Sequence, residues 1–281
     1  MVYAPPVPRE DLFAQIAELR RRGEPAAVAT VIGTRGSTPG RSAMRMLIRR
    51  DGTTSGTVGG GSMEEEVRRM GLDVLAKEVC ARRSFELTTE AVDDSELICG
   101  GTVEVFVEPL TIPTCYLFGA GHLAKAIATV AATAEFRVVV ADDRDTHANE
   151  ERFPQAHQVI AAPFDELLAD LPRRFNEASY VVLVTRSHQL DEQCAAACLP
   201  SEARYVGMIG SKGKVRRCHD FLREQGLAEE TIARLRAPVG LDVGATSHGE
   251  IAVSIVAELI RERRVGSHDG PVRTKSLTPG T

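Results

Sequence analysis

One cysteine is the strongest candidate for reactive chemistry in this chain. Cys99 ends a polar stretch and is followed by two glycines, Gly100 and Gly101. Glycine lets a ligand approach the backbone closely, and a thiol near exposed backbone N–H groups has a lowered pKa. We therefore predict that Cys99 is a nucleophile or a sulfur or metal ligand. The competing interpretation is a small buried strand residue, since free cysteine is often buried.

A glycine run earlier in the chain is a candidate anion site. Three glycines lead into a predicted helix: Gly59, Gly60 and Gly61. Backbone N–H groups at a helix start attract anions. Glu64 follows in the first turn, where it either points into a cleft as a catalytic carboxylate or only stabilises the helix dipole. Ser62 and Glu65 have the spacing of a capping box, which predicts a helix from Ser62 to about Val79.

The middle of the chain carries a dinucleotide-binding pattern. An apolar run ends in a tight turn made of Gly119, Ala120, Gly121 and His122, and a helix is predicted to follow. Gly119 permits the turn, and Gly121 lets the backbone approach a pyrophosphate, which the helix dipole also attracts. His122 either contacts a phosphate or substrate or is a plain surface histidine.

Charged residues end the next apolar run, at the position where dinucleotide-binding folds bind the ribose. Asp142 lies 23 residues after Gly119, and Asp143 and Arg144 follow it. Either aspartate can accept hydrogen bonds from ribose hydroxyls and favour NAD, whereas Arg144 can tolerate a 2′-phosphate, so the choice between NAD and NADP stays open. A Rossmann-like fold that binds no nucleotide, or another phosphate ligand, is the alternative.

Later loops should reach the same site. Arg186 and His188 follow one predicted strand, and Ser211 follows the next. In an open α/β sheet, ligands bind beyond the carboxyl ends of the strands, so we predict cofactor contacts from Arg186 and Ser211 and a catalytic role for His188. The alternative for Arg186 and His188 is a capped loop without a function. The alternative for the segment around Ser211 is a basic helix start that is only solvated. The glycine-rich connection from Pro238 to Ala245 either lines the cleft or lets backbones pack closely.

The elements that carry these residues fall into two groups. Helix and short-strand patterns predict a smaller α+β domain over residues 1–111. Strands and helices then alternate, with strands predicted at 115–118, 137–141, 158–160, 180–185 and 205–209. This alternation is typical of a doubly wound parallel sheet, so we predict an α/β, Rossmann-like domain over 112–264. The Gly/Pro/Ser-rich segment 265–281 is predicted to be a flexible tail.

The composition argues against nucleic acid as a partner, against a membrane span and against a disulfide framework. The chain has 34 Lys and Arg against 39 Asp and Glu, and a formal net charge of −5 gives no basic footprint for nucleic acid. No apolar run reaches the roughly 18 residues of a membrane span. The six cysteines contain no Cys-x-x-Cys pair. We therefore expect reduced thiols in a cytoplasmic protein, with neither a disulfide framework nor a metal site.

The order and number of these motifs resemble the xanthine dehydrogenase accessory factor family (XdhC/CoxI). The matching segments are 36–40, 56–61 with Glu64, 99–101, 118–124, 142–144, 152–154, 185–188, 205–211 with Lys214, 238–244 and 250–258. The resemblance as a whole covers almost all of residues 10–263. Some family members carry cysteine after the glycine run, where this chain has Ser62, and that difference leaves Cys99 as the main sulfur candidate.

The resemblance implies a maturation factor. Family members bind molybdenum cofactor, protect it while a terminal oxo ligand is exchanged for sulfur, and deliver it to a xanthine dehydrogenase-type molybdenum hydroxylase. They are typically homodimers and work with a cysteine desulfurase. The cofactor is a phosphorylated pterin, sometimes extended by a nucleotide, so it needs an anion cradle and can use a soft sulfur contact to molybdenum.

Two other classes of function fit parts of the pattern. A stand-alone NAD(P)-dependent oxidoreductase would use the glycine turn with Asp142, and His188 as its acid or base. No clear second catalytic module follows the nucleotide-binding segment, which counts against that hypothesis. A regulatory or scaffolding protein would keep the nucleotide fold and perform no chemistry.

Overall fold

The structure is a computed structural model that describes residues 11–36, 38, 41–87 and 101–265. The chain divides into two compact units between Thr114 and Cys115, and the short segment Arg174–Ser179 groups with the first unit. No helix in these described ranges is both long enough and apolar enough to cross a membrane.

The first unit is an antiparallel sheet with two helices. Its elements are α1 (Leu12–Arg22), β1 (Ala26–Arg35), β2 (Arg45–Arg49), β3 (Thr54–Gly56), α2 (Gly61–Lys77), β4 (Ala81–Leu87) and β5 (Gly101–Pro109). The strands pair in the order β3-β2-β1-β5-β4. β1 is the middle strand, and its first four residues are buried. Its register with β5 shifts between Val31 and Gly33.

Small residues allow β1 to be covered on both faces. Successive side chains of a strand point to opposite faces. Ala27 and Ala29 pack in the cluster that contains residues of α2, whereas Ala26 and Val28 pack with residues of α1. The sheet therefore lies between the two helices.

The second unit is a six-stranded sheet with helical connections. Its elements are β6 (Thr114–Phe118), α3 (His122–Thr133), β7 (Arg137–Asp142), β8 (Gln158–Ala161), α4 (Phe164–Asp170), β9 (Ser179–Leu183), α5 (His188–Cys198), β10 (Tyr205–Met208), α6 (Lys212–Glu224), α7 (Glu229–Ile232), β11 (Leu235–Arg236) and α8 (His248–Val265). The strand order is β11-β10-β9-β6-β7-β8. Read from β8, this is the 3-2-1-4-5-6 order of dinucleotide-binding folds.

The predicted fold class is confirmed. The pairs β7·β8, β9·β10 and β10·β11 are parallel, as in a doubly wound sheet. The elements α7 and β11 were not predicted, because a four-residue helix and a two-residue strand are too short to show a periodic pattern. Residues 266–281 of the predicted tail lie outside the described residues.

Candidate functional site

The glycine turn after β6 lies at the switch point of the parallel sheet. β6 stands between β9 and β7, and open α/β sheets bind ligands where the strand order reverses in this way. Gly119 has a φ of +114°, and a Cβ there would lie 2.3 Å from the carbonyl oxygen of Val184. Glycine is therefore required at 119 so that the turn can pass the residues that follow β9.

Unlike Gly119, Gly121 has free space around the position of a Cβ atom. It is the N-cap of α3, and none of the described atoms outside its immediate neighbours comes within 4 Å of the position that its Cβ would occupy. A ligand can therefore approach the backbone here, beside the start of a twelve-residue helix. Ala120, between the two glycines, is buried. Ligand contacts from these three residues remain a prediction.

Asp142 is the buried anchor of this turn. Its side chain is 1% exposed, and its carboxylate accepts the N–H of Ala120 at 2.8 Å. The Arg144 guanidinium donates two further hydrogen bonds to it, both 2.8 Å long. Burial raises the pKa of Asp142, but the hydrogen bonds from Arg144 and Ala120 outweigh burial and hold the pKa at about 2. Both carboxylate oxygens are thus occupied in positioning the loops.

Asp143 and Arg186 connect the loops on either side of the turn. Arg186 follows β9 and Asp143 follows β7, and they form a bidentate ion pair with one bond at 2.7 Å. Because β9 and β7 flank β6, this pair spans the carboxyl end of β6. The side chains of Arg186 and Asp143 are 43% and 25% exposed. The structure therefore brings these two predicted contacts together.

A buried aspartate that was not predicted from the sequence holds the loop after β9. Asp191 is fully buried, and one oxygen accepts the N–H of Thr185 at 3.0 Å and its hydroxyl at 2.7 Å. The other oxygen pairs with the ammonium of Lys214 at the start of α6. The only signal in the sequence was an acid in the first turn of a helix, which is typical of exposed acids as well.

Histidines occupy three helix starts in this unit. His122 begins α3, and its ring stacks on His248 at the start of α8, with ring centroids 6.3 Å apart. His248 was not predicted from the sequence. His188 begins α5, and its Nε2 atom is buried and has no hydrogen-bond partner within the described part of the chain. The catalytic role of His188 remains a prediction.

Ser211 caps a helix beside a small pocket. Its hydroxyl accepts the N–H of Lys214 at 3.4 Å, as the N-cap of α6. The pocket has a volume of about 380 Å³, and residues of the 238–245 connection and of α8 complete its wall. Gly240 in that connection has a φ of +106° and packs against Ser254. The connection thus lines a cavity and also lets the backbone approach α8 closely.

In the first unit, the glycine run surrounds a carboxylate of the chain itself. Oε1 of Glu64 accepts the N–H groups of Gly60 at 3.0 Å and Val58 at 3.1 Å, as well as the hydroxyl of Thr57. Burial raises the pKa of Glu64, but these hydrogen bonds outweigh burial and hold the pKa below its ordinary value. The N–H groups of Val58 and Gly60 are therefore free for a ligand anion only if Glu64 moves.

The predicted capping box at this helix start is wrong. Gly60 is the N-cap of α2 and no side chain of Ser62 caps the helix. The three glycines Gly59, Gly60 and Gly61 all have positive φ, and α2 begins at Gly61, one residue earlier than predicted. Glu64 reaches back to the N-cap, and Glu65 pairs instead with Arg68 at 2.7 Å.

Two family models match this chain. One, described as the XdhC Rossmann domain, matches residues 115–259, which is just over half of the chain. The other, described as the XdhC and CoxI family, matches residues 19–86 in the first unit. The chain belongs to the XdhC and CoxI family. The resemblance inferred from the order of the motifs is confirmed.

Curated relatives of this XdhC-family chain are longer than it is. "Uncharacterized protein YqeB" of Escherichia coli (strain K12) is 34% identical over 253 residues, which cover 89% of this chain and 46% of the relative. A probable xanthine dehydrogenase subunit of Bacillus subtilis (strain 168) is 30% identical over 164 residues, which cover 58% of this chain and 47% of the relative. The chain spans about half the length of these curated relatives.

A solved structure of similar length also matches the XdhC-family chain. It is described as a xanthine dehydrogenase from Bacillus halodurans, and it shares 22% identity with a TM-score of 0.48. The match covers 95% of this chain and 97% of that one.

The thiols described in this XdhC-family chain divide into one exposed and four buried. Cys80 is exposed, and the buried ones are Cys115, Cys194, Cys198 and Cys218. Burial raises the pKa of Cys115 and of Cys218 to about 12 and also raises those of Cys194 and Cys198, so these four thiols stay protonated and unreactive at neutral pH. Cys99 and Gly100 lie outside the described residues, and Gly101 begins β5 opposite Leu87.

Proposed function

We propose that this chain is a maturation factor for a molybdenum hydroxylase of the xanthine dehydrogenase type. In this proposal it binds molybdenum cofactor as cargo in the cytoplasm, protects it during sulfuration and delivers it to the apo-hydroxylase. The observation that carries the proposal is the presence of both family domains, the XdhC and CoxI domain and the XdhC Rossmann domain, in one chain. The name of the Bacillus subtilis relative supports a partner of this kind.

The chemistry of the two glycine turns is compatible with a phosphorylated cargo. Open backbone at Gly121 suits a phosphate, whereas the nest at Gly60 already holds the Glu64 carboxylate. We therefore infer that a phosphate binds the second unit first, and that Glu64 moves if the first unit takes part. The molybdenum centre supplies the position at which oxygen is exchanged for sulfur, and Cys99 is the residue that we assign to that centre.

The proposal includes two further partners. A cysteine desulfurase would supply the sulfur, and a second copy of the chain would form a homodimer. The desulfurase contact and the homodimer are both inferred from the family resemblance, and both are tested in the same experiments as cofactor binding. Size-exclusion chromatography with light scattering measures the homodimer, and co-purification with a tagged desulfurase measures the other contact.

The sharpest test compares two cysteine variants in a transfer assay. The chain is co-expressed with cofactor biosynthesis, purified, and mixed with apo-hydroxylase, and hydroxylase activity is measured. We expect Cys99→Ala to lower the yield of active hydroxylase about tenfold. The control Cys80→Ala, which removes an exposed thiol described in the same unit, should stay near wild type. Equal yields from Cys99→Ala and wild type would remove Cys99 from the mechanism, and no activation by wild type would remove the function.

A stand-alone NAD(P)-dependent oxidoreductase is the second candidate. The strand order and the open backbone at Gly121 favour it, since both are features of dinucleotide-binding folds. In that case His188, whose Nε2 atom has no hydrogen-bond partner among the described residues, is the acid or base. The test measures oxidation of NADH or NADPH in the presence of a small carbonyl compound. Saturable oxidation that is abolished by His188→Ala would establish this activity in place of the maturation role.

A further inference from the structure

Asp142, the acid at the end of β7, is expected to bind ribose hydroxyls, but its carboxylate already has hydrogen-bond partners in this structure. Asp142 is almost completely buried, and its two oxygens accept hydrogen bonds from Ala120 and Arg144. To bind a ribose, Asp142 would have to release the guanidinium of Arg144 and the turn itself. Leaving the partners of a buried carboxylate unpaired is costly, so Asp142 is the wrong residue for this role.

The neighbouring acid has the opposite properties. Asp143 is a quarter exposed, and among the described residues the side-chain hydrogen bonds to its carboxylate come from Arg186. Exposed ion pairs contribute little net stability, so this one can be exchanged for ligand contacts at little cost. The pair runs across the carboxyl end of β6, where the backbone at Gly121 is open.

We propose that Asp143 and Arg186 form a latch across the glycine turn, and that a nucleotide carrying a diphosphate and a free ribose diol opens it. Arg186 then donates to the diphosphate, and Asp143 accepts hydrogen bonds from the ribose hydroxyls. Such a ligand satisfies both members of the broken pair, because it presents negative charge to Arg186 and hydroxyl donors to Asp143. A diphosphate without a ribose leaves Asp143 unpaired and binds more weakly.

The latch does not depend on molybdenum cofactor being the cargo. Any ligand with an ADP-like moiety presents the same two groups, whether it is a dinucleotide coenzyme or a nucleotide-extended pterin. The test therefore uses ADP and inorganic pyrophosphate as probes, on the full chain, by isothermal titration calorimetry.

The latch makes variants of its two members respond differently to the two probes. Arg186→Gln should weaken both probes about tenfold, because it removes one charge-assisted contact. Asp143→Ala should bind pyrophosphate several-fold more tightly than wild type, since Arg186 is released, and should lose the preference for ADP. Asp143→Asn, which keeps an acceptor but not the charge, should bind pyrophosphate tightly and regain part of that preference.

A surface arginine of the same unit provides the control. Arg223 pairs with Glu229 on the surface at the end of α6, so Arg223→Gln should bind both probes as wild type does. Circular dichroism melts confirm that each variant is folded. The latch is refuted if Asp143→Ala weakens pyrophosphate as much as ADP, if Arg186→Gln changes neither affinity, or if the wild-type chain binds neither probe.

Discussion

Glu64 and Asp142 have the same local role in their two units. Each carboxylate accepts a backbone N–H from the glycine-rich turn beside it, Gly60 in one case and Ala120 in the other. Turns that cradle external phosphates use such N–H groups for the ligand. In this chain the fold supplies an internal carboxylate to each turn, which stabilises the turn.

Replacing Glu64 tests this role in the first unit. Glu64→Ala leaves the N–H groups of Val58 and Gly60 without their carboxylate, so we expect a loss of about 1 kcal/mol in the free energy of unfolding, the usual effect of losing a helix N-cap contact. Glu65→Ala is the matched control, since the contacts of Glu65 within the described residues are surface ion pairs with Arg68 and Arg69. Chemical denaturation measures both. Similar stabilities of the two variants would contradict the assigned role.

The pH dependence of stability tests Asp142. Its pKa is about 2 in the folded protein and 3.8 in its ordinary state, so the folded state favours the ionised form. This contribution, on the order of 1–2 kcal/mol, is fully present above pH 4 and is lost as the pH falls toward 2. Asp142→Asn should be less stable at pH 7, and the difference from wild type should shrink as the pH falls from 4 to 2. A constant difference would contradict the assignment.

The turn between β6 and α3 contains two glycines with different roles: Gly119 is needed for the fold, and Gly121 for ligand access. Gly119→Ala places a Cβ against the Val184 carbonyl at an unfavourable φ, so we expect a loss of several kcal/mol of stability or failure to fold. Gly121→Ala meets no described neighbour and has a φ of −75°, so its stability should stay near wild type while the affinity for ADP falls. Thermal melts and calorimetry together separate the two effects. Equal stability of the two variants would refute this division.

Helices and buried strands of this chain were predictable because they repeat a pattern over many residues. The five predicted strands of the second unit lie within about two residues of β6 to β10 at each end. β11 was not predictable, because two residues carry no alternation. The start of α2 was misplaced, because the Ser-x-x-Glu pattern here begins two residues beyond a glycine N-cap, and positive φ at three successive glycines is not visible in a sequence.

The site was predictable as a set of loops but not as a set of contacts. Strand order places the loops after β6, β7 and β9 side by side, as the switch-point rule predicted for Gly119, Asp142 and Arg186. Which acid is buried and which is exposed depends on the packing of Arg144 and Arg186, and the sequence contains no signal for that choice. Asp191 was missed for the same reason, since its partners Thr185 and Lys214 are known only from the structure.

The whole molecule combines two units that each present a glycine-rich turn with an acidic partner. The family assignment rests on both units, because separate domain models match residues 19–86 and 115–259. A maturation factor needs a place for a phosphorylated cofactor and a residue for its metal centre. In our proposal the turn at Gly121 binds the phosphorylated cofactor, and Cys99 is the residue for its metal centre.

The identity of the bound molecule tests this account most directly. The chain is purified after co-expression with cofactor biosynthesis, denatured, and the released ligand is identified and counted by mass spectrometry. We predict molybdopterin or its nucleotide-extended form at close to one per chain in the wild type, and much less in Cys99→Ala than in Cys80→Ala. Release of NAD(P) alone, or of no pterin from any of the three proteins, would contradict the account.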